Sequence, residues 1–171
     1  TLQFENHGTA GACCYGYKEQ SDEKPRRYTV GAGASLQDLW HVPAGGMLRL
    51  MVLGPNGFAR YFHRKGRPDV GVSVMDQTGA GAIVVKLTNH TNRPQNVQMQ
   101  DNAYGMAKRT VVLPARGVRQ EQIGLAGSHH WYDVTVFASA EPNVTSRFAG
   151  HVETGSAGVT DPATGKPLLH G

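Results

Sequence analysis

The chain has 171 residues, enough for one ordinary domain or two small ones, and long enough to fold without a disulfide or metal staple. Apolar residues make up 39% and charged residues only 18%, beside 22 glycines and 9 prolines; this excludes disorder throughout and favours an all-β chain of short strands and tight turns. The net charge of +4 favours contact with anionic surfaces such as phospholipid head groups or nucleic acid, although ordinary solubility charge accounts equally for so modest an excess.

No stretch approaches the roughly 20 apolar residues of a membrane span, and no basic-then-apolar leader opens the sequence. Its first residue is Thr1, so it reads as a processed product or an excised piece. Alternation places strands at 2–6, 11–17, 26–31, 35–40, 47–53 and 57–63, although LQDLWHV (36–42) also suits a helical turn. Cys13 and Cys14 are neighbours on the second of these strands and point to opposite faces, so they are expected reduced and unbridged, and they leave the compartment open. Further strands fall at 70–76, 82–89, 95–102, 108–114, 118–123, 131–138 and 144–152. The segment 155–171, rich in Gly, Pro and small polar residues, shows no period and is expected to be poorly ordered.

These strands form two copies of about 80 residues each. LQFENHG (2–8) aligns with VVKLTNHT (84–91), MLRLMVLG (47–54) with WYDVTVFA (131–138), and GPNGFARYF (54–62) with EPNVTSRFA (141–149), at shifts of 83, 84 and 87 residues. YTVGAGAS (28–35) and TVVLPARGV (110–118) form a looser fourth pair. Short strands separated by regular turn signals predict two tandem immunoglobulin-like antiparallel β-sandwich repeats, at 1–66 and 67–154, with a tail at 155–171. The strand at 70–76 has no counterpart ahead of the first copy. In the Pro-Asn phrases, Tyr61 and Phe148 are expected at equivalent inward positions, with Arg60 and Arg147 on the outer face.

Familiar catalytic signatures are missing: the sequence contains no GxSxG, Walker loop, HExxH or CxxC pair, and no catalytic residue, metal site or cofactor is assigned. His129 and His130 diverge if they lie on a strand and could share an ion only in a loop, without a carboxylate or cysteine nearby to complete the set. NHT (89–91) and NVT (143–145) fit the glycosylation acceptor pattern and are expected to be exposed turns. The basic-aromatic residues Arg60, His63, Arg64 and Lys65, with His129, His130 and Trp131, form the candidate lipid-surface set. The solvated end of a strand and a buried strand-end tryptophan explain the same residues without a ligand.

RRYTVGAGASLQDLW (26–40), LMVLGPNGFARYF (50–62), HHWYDVTVFA (129–138) and above all SRFAGHVETGSAGVTDPA (146–163) resemble the C-terminal repeat domain of bacterial phosphatidylcholine-preferring phospholipases C, whose catalytic domain is of the alkaline-phosphatase-like superfamily. The resemblance implies two tandem repeats at the end of a secreted or periplasmic enzyme, with phosphodiester cleavage carried out by an upstream domain. It implies as partners that upstream catalytic domain and a phospholipid membrane surface, with no nucleic acid. Two departures stand out: Cys13-Cys14 falls where the resemblance implies ordinary strand residues, and Met47-Leu48 replaces the aromatic-acidic pair that Tyr132-Asp133 keeps in the second copy. Two rival readings remain: a freestanding carbohydrate- or protein-binding β-sandwich suggested by Trp131, and a hydrolase built around His129, His130 and His151.

Overall fold

The computed structural model describes residues 1–42 and 45–164. The strands of the first repeat are β1 (Leu2–Glu5), β2 (Ala12–Lys18), β3 (Arg26–Val30), β4 (Ser35–Asp38), β5 (Met47–Leu53) and β6 (Ala59–Lys65). Those of the second are β7 (Val70–Gln77), β8 (Ala82–Asn89), β9 (Gln95–Asp101), β10 (Arg109–Leu113), β11 (Val118–Gly124), β12 (Trp131–Ala138) and β13 (Thr145–His151). The only helical pieces among the described residues are two single 3₁₀ turns, Thr78–Ala80 and Ala126–Ser128. The stretch open to a helical turn in the sequence begins as strand β4.

All pairing is antiparallel, and the two repeats are fused through one eight-stranded sheet in the order β10-β9-β12-β13-β6-β5-β2-β3. The seam is the β6–β13 pair, which runs from Ala59 opposite Ala149 to His63 opposite Thr145. Residues facing each other across a ladder share a sheet face, so Val52, Arg60, Phe148 and Val134 lie in one row on the inner face. Two smaller sheets cover that face, β11-β8-β7 over the second repeat and β1-β4 over the first. The second repeat is thus a three-plus-four sandwich of immunoglobulin-like type. The first has two strands over four.

Period-two burial builds each core. Tyr132, Val134 and Val136 of β12 pack with Phe148 of β13 and with Ile83, Val85 and Leu87 of β8. In the first repeat Leu50, Val52, Tyr28 and Val30 meet Phe4 and Trp40. Phe62 packs against both clusters and closes its ring on Phe148 edge-on at 6.1 Å, so the two cores meet through one aromatic pair. Gly16 is required beneath Trp40, because a Cβ there would stand 2.8 Å from the indole ring. The free cysteines behave as their alternation predicts, Cys14 buried and Cys13 partly exposed, and burial pushes the Cys14 thiol up.

The expected equivalence of Tyr61 with Phe148 is overturned. Leu50 faces Phe62 across β5–β6 as Val134 faces Phe148 across β12–β13, so Phe62 is the counterpart of Phe148, and Arg60 points inward where Arg147 points outward. The physical reason lies just after the Pro-Asn pair: Gly57 and Phe58 separate Asn56 from Ala59, the first paired residue of β6, whereas Val144 alone separates Asn143 from Thr145, the first paired residue of β13. Asn56 and Gly57 both take positive φ, 53° and 72°, the left-handed pair that an Asn-Gly turn uses. A one-residue shift exchanges the two faces of every following position. Within the expected tail, residues 155–164 are tied to the second repeat by Tyr104 Oη donating to Asp161 at 2.9 Å and Trp131 Nε1 donating to the Val159 carbonyl at 2.8 Å. Residues 165–171 lie outside the described residues.

Candidate functional site

β2 reads ACCYGYK, and with Cys14 and Gly16 turned toward the core, Tyr15 and Tyr17 emerge on the outer face of the eight-stranded sheet. Register extends that pair into two cross-strand rows. One runs Arg27, Tyr15, Leu53, Ala59, Ala149 and the other Tyr17, Met51, Tyr61, Arg147. Tyr15 is 41% exposed, and Tyr17, Met51, Leu53 and Tyr61 are half-buried, so the first repeat presents a tyrosine-rich apolar strip that crosses the seam.

Basic groups frame this strip. Arg147 lies over the Tyr61 ring at 5.1 Å and is held by Asp133, whose carboxylate accepts from Nε at 2.7 Å and raises the guanidinium pKa. In the next row, Arg49 Nε donates to His63 Nε2 at 3.1 Å, and Lys65 lies beyond it at the exposed end of β6. Among the described residues, no carboxylate forms an ion pair with Arg27, Arg49 or Lys65. The opposite end of the same face is closed by Trp131, packed on the His151 ring at 4.8 Å and over Gly57 of the first hairpin. From the Trp131–His151 row to Lys65 the strip spans about 26 Å at roughly 3.3 Å per residue.

The sequence-predicted set is therefore dispersed. His63 and Lys65 flank one end of the strip and Trp131 the other. Arg64 is on the inner face, half-buried over the Phe62 ring at 4.7 Å and within 3.3 Å of the Ser146 hydroxyl; burial pulls its pKa down. His129 is exposed on a turn with φ 52°, while His130 (φ 69°) packs against Gly81. The His151 imidazole is only 7% exposed, with Nδ1 3.1 Å from Glu153. His129, His130 and His151 do not converge: the His130 and His151 rings are 6.4 Å apart edge-on, and His129 faces solvent. Among the described residues no three His, Cys, Asp or Glu side chains gather at metal-binding distance.

Arg60, expected on the surface, is 9% exposed and bridges the two repeats. Its guanidinium donates to the Ala149 carbonyl at 2.7 Å and to the Tyr132 hydroxyl at 2.9 Å, and that hydroxyl donates to Asp76 at 3.3 Å. The rings of Phe58, Phe148 and Tyr132 lie 4.0, 5.3 and 5.7 Å from the same cation. Desolvation raises the Asp76 carboxyl while the Arg60 charge pulls it the other way, and desolvation likewise raises Tyr132. The signal for the tyrosine strip was present in the alternation of β2. No sequence signal reveals the bridge, because it depends on which strands of the two copies become neighbours.

Two immunoglobulin-like sandwiches joined edge to edge, with their aromatic and basic groups spread over one sheet face, define a tandem β-sandwich module. The chain belongs to the bacterial phospholipase C, C-terminal domain family, whose model matches twice, over residues 1–67 and 68–151. It is 34% identical over 179 residues to a non-hemolytic phospholipase C of Pseudomonas aeruginosa, an alignment covering 99% of this chain and 26% of that protein. It is 33% identical over 169 residues to a non-hemolytic phospholipase C of Burkholderia pseudomallei, covering 94% of this chain and 24% of the relative. A hemolytic phospholipase C of Pseudomonas aeruginosa is 34% identical over 138 residues, covering 74% of this chain and 18% of that protein. The chain thus spans about a quarter of the length of its first two relatives.

Proposed function

We propose that this domain is a non-catalytic accessory portion of an exported bacterial phospholipase C, in which an upstream domain hydrolyses the phosphodiester of phosphatidylcholine. The outer face of the eight-stranded sheet docks that enzyme on phospholipid surfaces. The observation that carries this reading is the strip of Tyr15, Tyr17, Met51, Leu53 and Tyr61 framed by Arg27, Arg49 and Lys65, cations that have no carboxylate partner among the described residues. Tyrosine suits the boundary between head groups and acyl chains, since its ring is apolar and its hydroxyl stays wet. Each basic group near an anionic surface adds about 1 kcal/mol. Holding the enzyme at the interface raises the local concentration of lipid at a catalytic centre elsewhere in the polypeptide.

Flotation of the 171-residue chain with phosphatidylcholine vesicles, with and without added phosphatidylglycerol, tests the reading. The expected result is co-flotation that strengthens with anionic lipid and falls about tenfold in Tyr15→Ser/Tyr61→Ser. A chain that stays at the bottom of the gradient, yet binds the separately expressed catalytic domain through the same tyrosines, shows instead an internal support.

A further inference from the structure

The two repeats can be aligned residue by residue through Asn6 and Asn89, which close the same turn. Asn6 Nδ2 donates to the carbonyls of Ala10, Val30 and Gly31 at 2.9, 3.0 and 3.0 Å. Asn89 Nδ2 donates to those of Arg93, Leu113 and Pro114 at 2.8, 3.4 and 2.8 Å, so Asn89 is buried inside its turn and not exposed as its NHT pattern led one to expect. Their main-chain amides also match, Asn6 N–H reaching Ala34 O at 3.0 Å and Asn89 N–H reaching Gly117 O at 2.9 Å. β1 therefore corresponds to Val85–Thr88 of β8, and β4 to β11. Yet β8 has a neighbour on each side, whereas among the described residues β1 has β4 alone.

Alternation identifies the unpaired groups. Because the Asn6 amide faces β4, the amides of Phe4 and Leu2 face it too, and those of Gln3, Glu5 and His7 face the open edge. Their counterparts Lys86, Thr88 and His90 all face β7, with His90 N–H donating to Asp69 O at 2.8 Å. β7 also brings Val70, Val72 and Val74 over the second core. At the first core, Leu2, Leu36 and Leu48 remain only partly buried. An open edge over an undercovered core is a template for another strand.

The match to a carboxyl-terminal domain, spanning about a quarter of its relatives, indicates what supplies that strand, since in such proteins further polypeptide accompanies this domain. We propose that the open edge of β1 accepts an extended segment that precedes this domain in the full-length polypeptide. It pairs antiparallel with β1 as β7 pairs with β8, and its alternate apolar side chains cover Leu2, Leu36 and Leu48. The joint between the upstream part of the enzyme and this domain is then a shared sheet, not a free linker.

Hydrogen exchange on the full-length protein and on the 171-residue chain tests this directly. The amides of Gln3, Glu5 and His7 are expected to exchange at least about tenfold more slowly in the full-length protein, with Phe4 little changed. Equal exchange in the two proteins overturns the proposal. So does protection that appears in the shorter chain and grows with its concentration, which assigns the edge to a second copy. As an independent arm, Glu5→Pro deletes one outward donor at a position an open edge tolerates. A larger fall in melting temperature in the full-length protein than in the 171-residue chain supports the added strand, and equal falls overturn it.

Discussion

The two repeats share one strand order, yet each has solved a different packing problem. The second buries Ile83, Val85, Leu87, Leu113 and Val152 to complete inaccessibility beneath a three-stranded cover. The first, under two strands, closes its core with a polar brace. Tyr28 Oη donates to Asp38 at 2.6 Å, Arg26 Nη1 to the same carboxylate at 2.8 Å, and the guanidinium lies 4.0 Å over Trp40. A duplicated unit can thus replace hydrophobic cover with hydrogen bonds at its edge, provided the charges remain near water, where the desolvation penalty is small.

The widest separation between the repeats is expected from matched core truncations. Leu113 and Val30 occupy corresponding ends of β10 and β3, 0% and 4% exposed. Leu113→Ala should cost about 2–5 kcal/mol and Val30→Ala roughly half as much, because fewer atoms leave a less enclosed site. Urea unfolding read by fluorescence separates them, Trp40 reporting on the first repeat and Trp131 on the second. Equal losses would mean that the two cores are equally tight.

The next effect is at the seam. Arg60→Met keeps the bulk among Phe58, Phe148 and Tyr132 but removes the donor to the Ala149 carbonyl and to the Tyr132 hydroxyl. A loss of roughly 1–3 kcal/mol is expected, together with separation of the two fluorescence transitions. If the transitions stay coincident, the β6–β13 ladder alone couples the repeats.

The smallest effect is a pH response of opposite sign in the two halves. Asp38 is held below the usual carboxylate range by Tyr28 and then Arg26, so its contribution is present at neutral pH and lost as pH falls through its folded-state value. Asp76 is raised by desolvation, so its contribution is present at low pH and lost as pH rises through its folded-state value. Acid titration below about pH 4 should therefore shift the Trp40 signal first. Asp38→Asn should flatten that shift, and Asp76→Asn should leave it unchanged.

Much of this molecule was legible along the chain. Alternation in MLRLMVLG and WYDVTVFA placed β5 and β12 at their observed limits, and the Asn-His and Pro-Asn phrases disclosed the duplication. The site was less legible. Tyr15 and Tyr17 announced an outward pair, but Tyr61 and Met51 join them only through strands that are neighbours in space. Matching Arg60 to Arg147 by their shared Pro-Asn phrase gave the wrong face, since β6 begins its ladder one residue later in that phrase than β13 does.

By itself the sequence determined the β class and the duplication, because period-two burial and turn chemistry act between residues close along the chain. Only the tertiary structure decided that the copies share one sheet, that Arg60 is a buried bridge and that β1 pairs with β4 alone among the described residues. These depend on pairing between strands such as β6 and β13, whose facing residues Arg60 and Phe148 are far apart in the chain. No local propensity encodes which edge meets which; that choice is made by the register and cover that bury the most apolar surface while satisfying the backbone.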